Sequence, residues 1–97
     1  MRRIRVTYPG AFHHVMNRGY DGKSIFPEDG DKNCFLKLLN EASQRLKIKI
    51  LAYCVLDNHY HLELQNSTGR MTDCLKLLNV KYGSYYRKIY GGKGYVF

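Results

Sequence analysis

Tryptophan is absent from this 97-residue chain, and acidic side chains are few: 8 against 16 lysines and arginines. The imbalance leaves a formal net charge of +8 and an isoelectric point near 9.5. A surplus of that size on so short a chain points to a polyanionic partner, either nucleic acid or an acidic membrane surface. Cysteine is sparse as well. Cys34, Cys54 and Cys74 are odd in number and none lies in a CxxC pair, which argues against a zinc finger or a disulfide framework and for reduced thiols in a cytoplasmic protein. No apolar run reaches membrane-spanning length, and the basic opening MRRIRV lacks the apolar stretch that a signal peptide needs. Linkers, internal repeats and low-complexity tracts are also missing, so the expectation is one domain over 1–97 with a single core.

What is present supports a folded domain. The hydrophobic fraction is 44% and is spread along the whole chain, unlike the composition of a disordered tail. Nine tyrosines sit among basic residues, a mixture that suits base stacking beside phosphate contacts and suits an ordinary core equally well.

Local patterns order the elements. Phe12 to Met16 reads as a strand entered through Pro9-Gly10, with Asn17-Arg18-Gly19 ending it. A polar loop to Gly30 follows, anchored by Ile25-Phe26. Asp29 or Asp31 is expected to cap a helix whose stripe is Phe35, Leu38, Leu39, Ala42 and Leu46. Ile48 to Leu56 is short, apolar and rich in β-formers, and reads as a central strand. Asp57-Asn58 is a turn signal, and His59 to Gln65 is the hairpin partner. Ser67 or Thr68 is expected to cap a second helix with the stripe Leu75, Leu78, Tyr82, Tyr85 and Ile89, stopped by Gly91-Gly92. Tyr95-Val96-Phe97 looks like the start of another strand. The fold class expected from this order is α+β: a ferredoxin-like antiparallel sheet with both helices on one face and the other face open. The apolar ending suggests a C-terminally incomplete domain.

The chemistry concentrates in LDNHYHLEL. Side chains alternate across a strand, so His59, His61 and Glu63 share one face, while Tyr60, Leu62 and Leu64 share the other. The apolar set needs the helices, which leaves the histidines on the open side. Two imidazoles at this spacing can share a divalent metal; a solvated polar face that happens to alternate is the competing reading. Glu63 is the local choice for a third ligand, and a salt bridge to a lysine is its plainer role. His14 or His13 lies on the open face beside the pair, depending on the register of the first strand.

The stretch AYCVLDNHYHLEL resembles the paired strands of the HUH-type single-tyrosine DNA transposases, most closely the REP-associated tyrosine transposases. GAFHHVMNRG, SIFPEDGDKNCFLKLL and LNVKYGSYYRKIYGGKGYVF resemble, in order, that family's first strand, acidic turn with first helix, and second helix with its Gly-rich turn. Asp57 stands where the family usually has proline, and Leu56 where it often has methionine. The resemblance implies binding of single-stranded or hairpin DNA, and its cleavage and rejoining by a tyrosine assisted by Mg2+ or Mn2+ on His59 and His61. Imidazole ligands by themselves also suit zinc and nickel. In that family the nucleophilic tyrosine, and a polar amide that completes the metal site, lie on a helix after the strand that Tyr95 begins. The last strand and that catalytic helix are therefore expected to be missing here. Among the tyrosines of the second helix, Tyr86 is the freest to reach outward and is the weak nucleophile candidate; Tyr82 and Tyr85 belong to the apolar stripe.

Arg18 is placed to reach a phosphate, and Arg2, Arg3 and Arg5 to grip a DNA backbone, although a solvated arginine and a basic tail are the bland readings. An open sheet edge also makes a second copy of the chain a partner to consider. Two other function classes compete: a non-catalytic nucleic-acid-binding module with a decayed active site, marked by an exposed aromatic pair on the central strands, and a metal-binding or interaction domain unrelated to DNA.

Overall fold

Strand, helix, two strands and helix follow one another in the computed structural model, which describes residues 7–97. They are β1 (Phe12–Arg18), α1 (Asp29–Leu46), β2 (Lys49–Val55), β3 (His59–Gln65) and α2 (Met71–Tyr90), with a 3-10 turn at Tyr20–Gly22. The sheet order is β1-β3-β2, and β3 is antiparallel to both neighbours. β1 and β2 therefore run parallel with β3 inserted between them, the split βαβ arrangement of a ferredoxin-like start. The α+β class read from the sequence is the class observed.

The period-2 pattern of β3 decides where the core sits. Tyr60, Leu62 and Leu64 are at most 1% exposed and pack with Phe35, Leu39, Ala42 and Leu46 of α1 and Met71, Cys74, Leu78 and Tyr82 of α2. Phe26, Phe35, Tyr60 and Tyr82 form its aromatic centre, with Phe35 ring centroids 4.7 Å from Tyr60 and 5.0 Å from Phe26. Ile25 and Phe26 are the expected loop anchor, and both of their N–H groups donate to the Asp57 carbonyl. The loop after β1 is thereby tied to the β2–β3 turn.

Several sequence expectations need correction. β2 is an edge strand, not the central one: it pairs only with β3 among the described residues, and Leu51 and Tyr53 remain about half exposed. Its apolar run suggested cover on both faces, but only Ile50, Tyr53 and Val55 pair with the helix-facing residues of β3, and at the sheet edge even Tyr53 is left exposed. A bulge between Ile50 and Ala52 also breaks its register. β1 continues through Asn17 and Arg18 because both pair with β3. Glu28, not Asp29 or Asp31, takes the N-cap position of α1; Asp31 lies three residues on and accepts the Glu28 N–H at 3.1 Å, the reciprocal half of a capping box. Neither Ser67 nor Thr68 caps α2. The buried Asn66 accepts the Met71 N–H at 3.0 Å, while Thr68 donates to the Leu46 carbonyl at the far end of α1. Ile89 lies outside the apolar stripe of α2 and is exposed. Tyr95–Phe97 forms no strand; the Val96 carbonyl accepts the Tyr20 N–H, and the Phe97 ring packs on Tyr60 and Tyr82.

Candidate functional site

The uncovered face of the sheet is assembled by register. Residues opposite one another on antiparallel strands point to the same side. Arg18 faces His59; Met16 and Cys54 flank His61; His14 and Ala52 flank Glu63. The structure thus selects His14 over His13 for this face. His13 lies opposite Leu64 on the helix-facing side and hydrogen-bonds Thr7 Oγ1. The signal that would have settled it was weak, because FHHVMNR has no clean alternation.

The turn between β2 and β3 is braced from β1. The Gly19 N–H donates to the Asn58 carbonyl at 2.8 Å, and the Ser24 hydroxyl donates to Asp57 Oδ1 at 2.7 Å. Gly19 has no room for a side chain, since a Cβ would stand 2.2 Å from the Lys23 carbonyl oxygen and 2.9 Å from Ile25. Asp57 thus serves as an acceptor at this turn, through both its side chain and its carbonyl.

Five side chains then form a chain of contacts. The rings of His59 and His61 have centroids 5.0 Å apart. His59 Nδ1 is 2.7 Å from Asn58 Oδ1; the amide oxygen only accepts, so Nδ1 carries a proton, and in the neutral ring Nε2 keeps its lone pair. His61 Nδ1 is 3.1 Å from His14 Nε2, and His14 Nδ1 is 2.7 Å from Glu63 Oε1. His14 and Glu63 are both more than half exposed. Two imidazoles with Nδ1 bonded and Nε2 unused are a donor set suited to a divalent metal. Among the described residues no group of three His, Cys, Asp or Glu side chains converges as a metal site, and the Glu63 carboxylate is turned to His14.

Sequence-selected residues away from this face divide clearly. Tyr86 donates its hydroxyl to the Ser24 carbonyl at 3.1 Å. Tyr82 donates to the Ile25 carbonyl, and burial pushes its pKa up. Tyr85 and Tyr90 both donate to the buried Asp31, and that bond raises each to about 12. Burial of Asp31 opposes its ionisation, but the Tyr85 and Tyr90 hydroxyls and the Glu28 N–H outweigh it and hold the carboxyl below its ordinary value. Every tyrosine hydroxyl of α2 is therefore engaged inside the fold. Arg2, Arg3 and Arg5 lie outside the described residues. The sequence reading missed Asn58 and Cys54 beside the histidines, and the exposed ring pair of Tyr20 and Tyr95, whose centroids are 6.0 Å apart.

These features define an α+β domain with a helix-covered core and an open, histidine-bearing sheet face. No family model and no curated protein matches the sequence. Among solved structures, the chain is similar to the crystal structure of a "putative transposase" from Deinococcus radiodurans R1, with a TM-score of 0.68 at 14% identity over 93% of this chain and 69% of that one. At that identity the likeness is one of fold: the chain has the fold of that protein. Among the described residues no helix is long and apolar enough to cross a membrane.

Proposed function

We propose that this chain is a transposase-type DNA-handling domain that binds single-stranded or hairpin DNA on its open sheet face. The observation that carries the reading is the adjacent pair His59 and His61 on that face, with Arg18 directly across from His59. The similarity of fold to a protein described as a transposase and the net charge of +8 support it. His59 and His61 would hold Mg2+ or Mn2+, which when bound supplies charge stabilisation at a scissile phosphate. Arg18 is placed to hold a phosphate oxygen, with Arg2, Arg3 and Arg5 as further backbone contacts. In the complete reaction a tyrosine oxygen attacks phosphorus, the 3′ oxygen leaves, and a 5′-phosphotyrosyl bond conserves the linkage for rejoining. The hydroxyls of Tyr82, Tyr85, Tyr86 and Tyr90 are engaged elsewhere, so none of the tyrosines of α2 is offered as that nucleophile. The exposed edge of β2, carrying Leu51 and Tyr53, supports a second copy as a partner.

Calorimetry with Mn2+ tests the centre. The chain should bind Mn2+, and the double variant His59→Ala/His61→Ala should not; equal affinity in both would reject it. A second reading, a binding module without cleavage, is favoured by the Tyr20–Tyr95 ring pair, 57% and 77% exposed, since stacking on exposed aromatics needs no metal. Hairpin DNA should bind this chain without a covalent adduct. A phosphotyrosyl adduct on a denaturing gel would mean that a tyrosine within these 97 residues is the nucleophile.

A further inference from the structure

We infer that His14 is a positioning residue for His61, and that Glu63 acts through His14 rather than as a third ligand. The inference rests on the reading of His59 and His61 as metal ligands. Its basis is the run Glu63–His14–His61, which links two strands through side chains 2.7 and 3.1 Å apart.

Proton placement follows from what each atom can do. An ionised carboxylate only accepts, so His14 Nδ1 donates to Glu63. In the neutral state of the ring one imidazole nitrogen donates and the other accepts, so there His14 Nε2 is the acceptor. His61 Nδ1 must then donate to it, which leaves the lone pair of His61 on Nε2. Asn58 imposes the same state on His59 through its amide oxygen. Two unrelated groups, a turn amide and a cross-strand carboxylate–imidazole pair, therefore direct both histidines to present Nε2. Partners that fix the tautomer and ring orientation of a metal-binding histidine are commonly worth ten- to a hundredfold in affinity.

Register is the only route by which His14 reaches this role. It lies opposite Glu63 on β1, two residue pairs along from the Met16–His61 pairing. The contact to His61 is thus a diagonal one across the strand pair, within the reach of a long side chain. A carboxylate that ligated the metal itself would have no need of His14, whereas here its Oε1 is the nearest partner of the His14 ring.

The test reads imidazole tautomers in the metal-free protein by long-range 1H–15N NMR at about pH 8, where an ordinary imidazole is neutral. Both His59 and His61 should carry the proton on Nδ1. His14→Ala should release His61 from that single state, leave His59 in it, and weaken Mn2+ binding about tenfold or more. His14→Gln, whose side-chain carbonyl can still accept from His61, should restore most of both. Glu63→Ala should weaken binding in the wild-type background and add nothing in the His14→Ala background, because one pathway would already be broken. A His61 proton on Nε2, or a tautomer unmoved by His14→Ala, would overturn the inference. Additive loss in the double variant would overturn the assignment of Glu63 and make it a ligand. If the tautomers behave as stated but no Mn2+ binds to the wild type, the positioning holds and the metal reading falls.

Discussion

The two faces of β3 use the same seven residues in opposite ways. Toward the helices, Tyr60, Leu62 and Leu64 vanish from solvent and lock the sheet to α1 and α2. Toward the open side, His59, His61 and Glu63 make polar contacts only with their immediate surroundings. The difference separates stability from chemistry along one strand. The covered face draws its free energy from apolar area removed from water and from close packing. The open face contributes little to folding, which leaves its residues available for a ligand.

That separation can be broken or sharpened by substitution. The largest effect on stability belongs to the covered face: Leu62→Ala should lower the unfolding free energy by about 2–5 kcal/mol, read as a shift of the urea midpoint. A loss well under 1 kcal/mol would show that this face is not the core. Gly19→Ala comes next, at about 1–3 kcal/mol, because the added methyl must displace the Lys23 carbonyl and the Ile25 anchor. Its signature should extend to the open face, since Gly19 also braces Asn58, so Mn2+ affinity should fall with stability. Asp31→Asn should cost roughly as much, about 1–3 kcal/mol, by weakening the charge-assisted bonds from Tyr85 and Tyr90.

Asp31 also gives the covered side a pH dependence. Its folded pKa lies below the unfolded value near 3.8. The stabilisation it provides is therefore in full above that unfolded value, and is lost as the pH falls through the lower folded one. Thermal melts between neutral and acid pH should show this limb in the wild type and a shallower one in Asp31→Asn. The smallest effect is expected on the open face. The double variant His59→Ala/His61→Ala should change stability by no more than about 0.5 kcal/mol while removing Mn2+ binding. A large loss of stability there would mean that the imidazoles brace the turn rather than serve a ligand.

Much of this was legible in the residues alone, and for a definite reason. Alternation in HYHLELQ assigned the two faces of β3, and the stripe Phe35, Leu39, Ala42 and Leu46 assigned the buried side of α1, because burial imposes a period on one dimension. Ile25-Phe26 was recognisable as an anchor by its isolation in a polar loop. The failures share a cause. Hydroxyl and carboxylate groups such as Thr68 and Asp31 were assigned to the nearest helix end, but Thr68 serves α1 from beyond β3, and Asp31, besides its half of the α1 capping box, gathers hydroxyls from α2. Short polar side chains find partners by proximity in space, which local pattern does not encode.

The sequence by itself therefore determined the α+β class, the order of elements, the covered and open faces of β3, and the histidine pair as the place to look. Tertiary structure alone decided that β3, not β2, is the central strand. It also decided that His14 rather than His13 joins the pair, and that Glu63 meets His14 across 49 residues of chain. The physical reason is register: side-chain period is a property of one strand, whereas the neighbour a side chain meets depends on how two strands slide against each other, and a slip of one residue exchanges the faces.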